Sequence, residues 1–285
     1  MGADCEKFFA HVVEAVRPYL NDLLFIGGMA NALYRHHELA KTIPWEFLGT
    51  KDVDVAAPSP LPPMRRRLLY DLVLEADFEV VLEGTGDKCC EKYVLKGNQF
   101  DADLEFLCPL SGARGARGRE GGGSLNIQKG LRAQPLQYLE VLFRNPWEMD
   151  VGEIDGLSSL KGTTVRVPNP AAYVMQKILI RDQRRKAQSK AKDCFYIYEI
   201  SAIFRDDLDR IAGEYARLPG IHTKWRDSFE REIPRLFGSV HSEGVRSALR
   251  VFEDSGKNVS HNKLNEVIIM RSVGKLIDAF SRTHK

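Results

Sequence analysis

The stretch Phe100-Asp101-Ala102-Asp103-Leu104-Glu105-Phe106 sets carboxylates against mostly apolar residues at a period of two. A β-strand points successive side chains to opposite faces. Phe100, Leu104 and Phe106 are therefore expected on one face, and Asp101, Asp103 and Glu105 on the other. Like charges along one face destabilise a sheet, so the pattern asks for a buried face behind it and a use for negative charge in front. Roughly fifty residues earlier, Lys51-Asp52-Val53-Asp54-Val55 repeats it, with Val53 and Val55 opposed to both aspartates.

A glycine pair, Gly27-Gly28, ends the apolar run Leu23-Leu24-Phe25-Ile26, about one helix length before these aspartates. The run reads as a short buried strand, and residues 29–39 read as a helix. A strand that stops at two glycines and feeds a helix leaves backbone N–H groups where the macrodipole favours an anion. Without side chains, the backbone is open to phosphate oxygens. Plain turn chemistry explains Gly-Gly as well. Two carboxylates on one face repel each other unless a cation or a proton relieves them, and magnesium is a hard ion that takes oxygen ligands and phosphate. A solvated strand edge also carries Asp-x-Asp. If the two acidic strands lie side by side, a third carboxylate completes a triad able to hold metal.

Composition narrows the class. A chain of 285 residues with 44% hydrophobic and 28% charged residues suits a globular protein of one or two domains. No apolar run approaches the ~20 residues of a membrane span. The start, Met1-Gly2-Ala3-Asp4-Cys5, carries no basic and apolar export signal, which predicts a cytoplasmic protein. Five cysteines without CxxC spacing argue against a disulfide framework and against zinc. His36 and His37 are neighbours and cannot share a metal from one helix face. Residues 171–285 hold 22 Lys and Arg against 15 Asp and Glu, while the remainder holds 19 against 24. An acidic half joined to a basic half suits a polyanionic substrate; solvated helix faces give the same count.

Residues 7–20 show helical apolar spacing, 51–56 read as a strand, and Pro62-Pro63 open a helix over 62–76 that carries Arg65-Arg66-Arg67. Close successive strands at Phe78–Leu82, around Tyr93-Val94-Leu95 and over 100–107 predict an antiparallel meander. Residues 111–124 are rich in Gly and Arg and read as a mobile loop. A short helix over 135–143 is expected next, then strands near Glu148-Met149-Asp150 and Val165-Arg166-Val167. In Val167-Pro168-Asn169-Pro170, Asn169 is a helix N-cap and Pro170 the first helical residue. Beyond it the chain reads as helices with breaks near Arg181-Asp182, Leu218-Pro219-Gly220, Gly238, Ser255-Gly256 and Val259-Ser260. The fold class is α+β, a mixed sheet flanked by helices over 1–168, followed by a helical domain over 169–285.

The order strand-Gly27-Gly28-helix, then Thr50-Lys51-Asp52-Val53-Asp54, then a carboxylate on a later strand, resembles the nucleotidyltransferase (polymerase beta-like) superfamily. Within it the chain is most similar to bacterial nucleotidyltransferase-like proteins akin to the abortive-infection toxin group. Leu104-Glu105-Phe106-Leu107-Cys108-Pro109-Leu110, Ala133-Gln134-Pro135-Leu136-Gln137-Tyr138-Leu139, Val167-Pro168-Asn169-Pro170, Gln176-Lys177 and Lys192-Asp193 follow that group's landmarks in order, over roughly residues 23–200. The resemblance implies a nucleotidyltransferase-like sheet and transfer of a nucleoside monophosphate from an NTP to an acceptor hydroxyl. Asp52 and Asp54 would bind Mg²⁺ or Mn²⁺, with Glu105 the third carboxylate and Asp103 the alternative. Gly27, Gly28, Lys51 and Lys177 would hold the nucleotide; Lys177 on its helix also reads as a lysine lying along an apolar edge. Met29 stands where many members have Ser or Thr, and Glu105 has a longer reach than Asp. A non-catalytic nucleotide- or RNA-binding protein, part of a toxin–antitoxin or defence pair, is the alternative. The acceptor is left open between RNA, a protein and a small molecule.

Overall fold

Val53, Val55, Leu104 and Phe106 are all essentially inaccessible to solvent, and the sheet is organised around that apolar face. The computed structural model describes residues 3–48, 50, 52–64, 67–84, 90–97, 100–110, 123–184, 186–256 and 264–283. It divides into two compact units: Met1–Ala32 with Gly49–Pro168, and Leu33–Leu48 with Asn169–Lys285.

The first unit begins with helix α1 (Ala3–Val16), followed by a 3-10 turn, Arg17–Tyr19, strand β1 (Leu24–Phe25) and the start of helix α2 (Gly27–Tyr34). After β2 (Val53–Ala56) and α3 (Leu69–Glu75) come β3 (Phe78–Glu83), β4 (Cys90–Leu95), β5 (Asp103–Pro109), β6 (Leu125–Gln128) and β7 (Leu131–Leu136). These form one mixed sheet in the order β1-β2-β5-β4-β3, with β7 joining β5 and β6 joining β7. Strand β5 is central: it runs parallel to β2 and β7 and antiparallel to β4. A separate hairpin pairs β8 (Trp147–Asp150) with β9 (Thr164–Val167).

Helices α1 and α3 cover the apolar face. Phe8 packs against Phe78 with ring centroids 6.1 Å apart, Phe9 against Phe25 at 5.2 Å, and Tyr93 against Phe106 at 5.5 Å. Each such side chain contributes about 1.5–3 kcal/mol by leaving water, which fixes the register: a slip of one residue would bury the carboxylates instead.

The second unit is helical apart from Leu33–Leu48: α4 (Pro170–Ile180), α5 (Ala187–Ile203), α6 (Leu208–Ala216), α7 (Thr223–Phe237), α8 (Glu243–Asp254) and α9 (Glu266–Arg282). Asn169 caps α4 as its sequence predicts, its side-chain oxygen accepting from the N–H of Ala172 at 2.9 Å, with Pro170 next. No helix among the described residues is long and apolar enough to cross a membrane.

Several expectations shift. The acidic strand begins at Asp103, because Asp101 adopts φ 45° and turns the chain before the ladder starts. The helix after the glycine pair starts on Gly27 itself and stops at Tyr34. The helix expected over 62–76 is confined to Leu69–Glu75; Met64 and Arg67 form an isolated bridge instead, held by the Tyr19 hydroxyl. No α-helix forms over 135–143: Pro135 and Leu136 end β7 of a β6–β7 hairpin, and only a 3-10 turn, Leu139–Val141, follows. The C-terminal helices break additionally between α5 and α6, and the break at Val259-Ser260 lies outside the described residues. So do Cys89 and residues 111–122 of the Gly/Arg segment.

Candidate active site

The parallel register of β2 and β5 sets Asp54 beside Glu105, between the buried pairs Val53–Leu104 and Val55–Phe106. Residues facing each other in register share a sheet face, so two acidic stretches far apart in sequence meet in one row. On the other side of β5, the antiparallel register sets Lys92 beside Glu105. The row across the polar face reads Asp54, Glu105, Lys92.

Lys92 is the residue that the sequence reading missed. Its ammonium lies 2.8 Å from Oε1 of Glu105, 2.9 Å from Oδ2 of Asp103 and 3.0 Å from Oε2 of Glu83. A signal was available: in Cys90-Glu91-Lys92-Tyr93, strand alternation opposes Lys92 to the buried Tyr93, which places a cation on the carboxylate face of a neighbouring strand.

Charge on this face is unbalanced. Burial pushes the Glu105 carboxyl up, the neighbouring charges of Asp54 and Asp103 push the same way, and Lys92 opposes them; the result is about 7. Burial lowers the Lys92 ammonium, but its hydrogen bonds to Glu105, Asp103 and Glu83 outweigh that and hold it protonated well above its ordinary range. The carboxylates outnumber the ammonium. Oδ1 of Asp103 is buried with no hydrogen-bond partner among the described residues.

Gly27 lies against this row. It has φ 61°, and a Cβ there would overlap Oδ2 of Asp54 and approach its Cγ to 3.2 Å. The glycine is thus required by the nearness of the Asp54 carboxylate as well as by its backbone conformation. The carbonyl of Asp54 accepts from the N–H of Ile26 at 2.9 Å, tying the start of α2 to β2. Gly28 is buried in the first turn of α2.

Asp52 is exposed and precedes β2. Lys51 lies outside the described residues. Among the described residues, no three His, Cys, Asp or Glu side chains stand grouped to hold a metal ion. The Lys92 ammonium lies between Asp103 and Glu105, and in this arrangement it provides the positive charge that both need. Even so, the donors are of the right chemistry for a hard divalent ion: carboxylate oxygens, an excess of negative charge and one buried oxygen lacking a partner.

Lys177 belongs to the second unit. On α4 its ammonium is buried, 2.9 Å from Oδ1 of Asp193, with the rings of Tyr173 and Tyr196 5.2 and 5.5 Å away. The other Asp193 oxygen accepts from Nε of Arg184 at 3.3 Å.

A family model described as Nucleotidyltransferase matches residues 9–217. No curated protein and no solved structure matches the chain.

Proposed function

The chain belongs to that nucleotidyltransferase family, and on this premise we propose that it transfers a nucleoside monophosphate from an NTP to an acceptor hydroxyl, releasing pyrophosphate. The observation that carries the proposal is the Asp54–Glu105 register beside Gly27. Asp52 and Asp54 are assigned to hold Mg²⁺ or Mn²⁺, with Glu105 as third carboxylate. The register supports Glu105 over Asp103, since Glu105 is the residue beside Asp54 and Asp103 is drawn to Lys92.

When bound, the divalent ion supplies positive charge to the polyphosphate and the acceptor oxygen. Glu105, pushed up to about 7, is suited to take the acceptor's proton near neutral pH as the new P–O bond forms and the bond to pyrophosphate breaks. Lys92 keeps the Glu105 carboxylate oriented. Gly27 and Gly28, at the start of α2, offer backbone N–H groups to the triphosphate, with Lys51 as a further nucleotide contact. Lys177 retains its proposed phosphate role only if its ammonium leaves Asp193. We assign the reaction to the cytoplasm, in keeping with the free thiols of Cys5, Cys108 and Cys194.

The direct test incubates the protein with labelled NTPs, Mg²⁺ or Mn²⁺, and RNA or protein acceptors, following label transfer and pyrophosphate release. Asp52→Asn with Asp54→Asn should abolish both; transfer that survives the double change refutes the site. One observation favours a second reading: Lys92 already neutralises part of the carboxylate row. Binding of an NTP without turnover would identify a nucleotide- or RNA-binding descendant of the fold, suited to a toxin–antitoxin role.

A further inference from the structure

In the second unit, residues of α5 and α8 line one cavity of about 280 Å³. Lys190 enters it from α5, and Arg246 and Arg250 enter it from α8, with Ser247 between them. The one carboxylate in the lining, Glu243, is engaged by the buried guanidinium of Arg181. Lys190, Arg246 and Arg250 make no ion pair among the described residues.

Three like charges converging on a concave surface repel one another. Arg246 and Arg250 stand at i, i+4 on α8, where like charges destabilise the helix. The N-terminus of α5 adds to the positive potential. The N-cap of α5, Lys186, makes no side-chain capping bond, and its first turn holds no acidic residue, so the dipole is unopposed there. The hydroxyl of Ser242 does not cap α8 either; it accepts from the N–H of Ser239 at 3.0 Å. Guanidinium forks, an ammonium and a hydroxyl are the donors that phosphate oxygens use.

We infer that this cavity is a phosphate-binding site, distinct from the carboxylate row and independent of whether the chain turns over an NTP. The phosphate is carried either by an RNA backbone or by a free phosphate compound, and one experiment separates the two. Binding of a short single-stranded RNA is followed by fluorescence anisotropy, and binding of pyrophosphate by calorimetry, from about 50 mM salt upward. Each is measured on wild type, on Arg246→Ala/Arg250→Ala and on Lys190→Ala. The charge-matched control is Arg271→Ala/Lys275→Ala, at exposed positions of α9.

Wild type should bind at least one probe. The double arginine change should weaken that binding at least tenfold and, for RNA, lower the slope of log K against log salt by about one to two. The control should change neither. RNA bound without pyrophosphate assigns the site to a polymer backbone; pyrophosphate bound assigns it to a free phosphate compound. All of the exchanged side chains are exposed or partly exposed, and an unchanged melting temperature verifies the fold. Wild type that binds neither probe, or a control that weakens binding as much as the arginine changes, overturns the inference.

Discussion

Lys92 and Glu105 face each other across antiparallel strands and share a 2.8 Å ion pair. The same ammonium reaches Asp103 and Glu83, so one cation serves carboxylates on β3 and β5 together. The fold thus carries a positive charge of its own on the face where the proposed reaction would need divalent cations.

Replacing Lys92 by Met removes that charge and leaves Glu105 and Asp103 side by side on one face of β5 without relief. Partial solvent access limits the loss, so the metal-free protein should lose on the order of 1–3 kcal/mol at pH 8. Added Mg²⁺ should then raise the melting temperature of Lys92→Met by more than it raises that of wild type. Equal Mg²⁺ shifts in the two proteins would mean that ammonium and metal do not compete for these carboxylates.

Glu105 also makes stability depend on pH. Its carboxyl sits at about 7 in the folded chain against an ordinary 4.5. Between these values the folded state holds more protons than the unfolded one, so metal-free stability should fall as pH rises through that window and level off above it. The total loss is on the order of 3 kcal/mol. Urea denaturation from pH 4 to 8 measures it, and Glu105→Gln should flatten the profile. A glutamine variant with the wild-type slope would place the dependence on another group.

Gly27 and Asp54 form a steric pair. Gly27→Ala should destabilise the protein by roughly 2–4 kcal/mol, through a strained positive φ and the overlap with the Asp54 carboxylate. Shortening the acid should recover the steric part. In a double-mutant cycle, Gly27→Ala with Asp54→Ala should therefore be less destabilised than the sum of the single changes, and strict additivity would show that the two do not touch.

Much of the sheet was legible because alternation is a strong signal wherever one face is buried. Val53, Val55, Leu104 and Phe106 stand as period two requires, and β2 lies beside β5. Asn169 and Pro170 announced α4 because capping is local chemistry. Other features were hidden for physical reasons. The Asp101 turn depends on one residue entering the left-handed region, which Asp tolerates but does not demand. The β6–β7 hairpin contains Pro135, usually a strand breaker, which is placed where β5 and β7 pair. The bridge at Met64 and Arg67 depends on the hydroxyl of Tyr19, 45 residues from Met64 in sequence. The partners of Lys92 are set by register across three strands, which neither composition nor spacing within one segment reveals.

Lys177 and Asp193 allow a structural role to be separated from a chemical one. Their 2.9 Å pair is buried on both sides, with Arg184 as the second partner of the carboxylate. Lys177→Met would leave Asp193 with Arg184 alone and should cost about 3 kcal/mol or more, because a buried charge loses its closest counter-ion. Changing Asp193 to Asn as well should recover part of that loss, since no carboxylate is then left poorly compensated. If Lys177 serves only the fold, the stabilised Lys177→Met/Asp193→Asn protein should bind NTP as wild type does in calorimetry. If its ammonium leaves Asp193 to contact phosphate, NTP affinity should fall at least tenfold even where stability is restored. Melting temperature and NTP affinity, measured on the same three proteins, decide between the two roles.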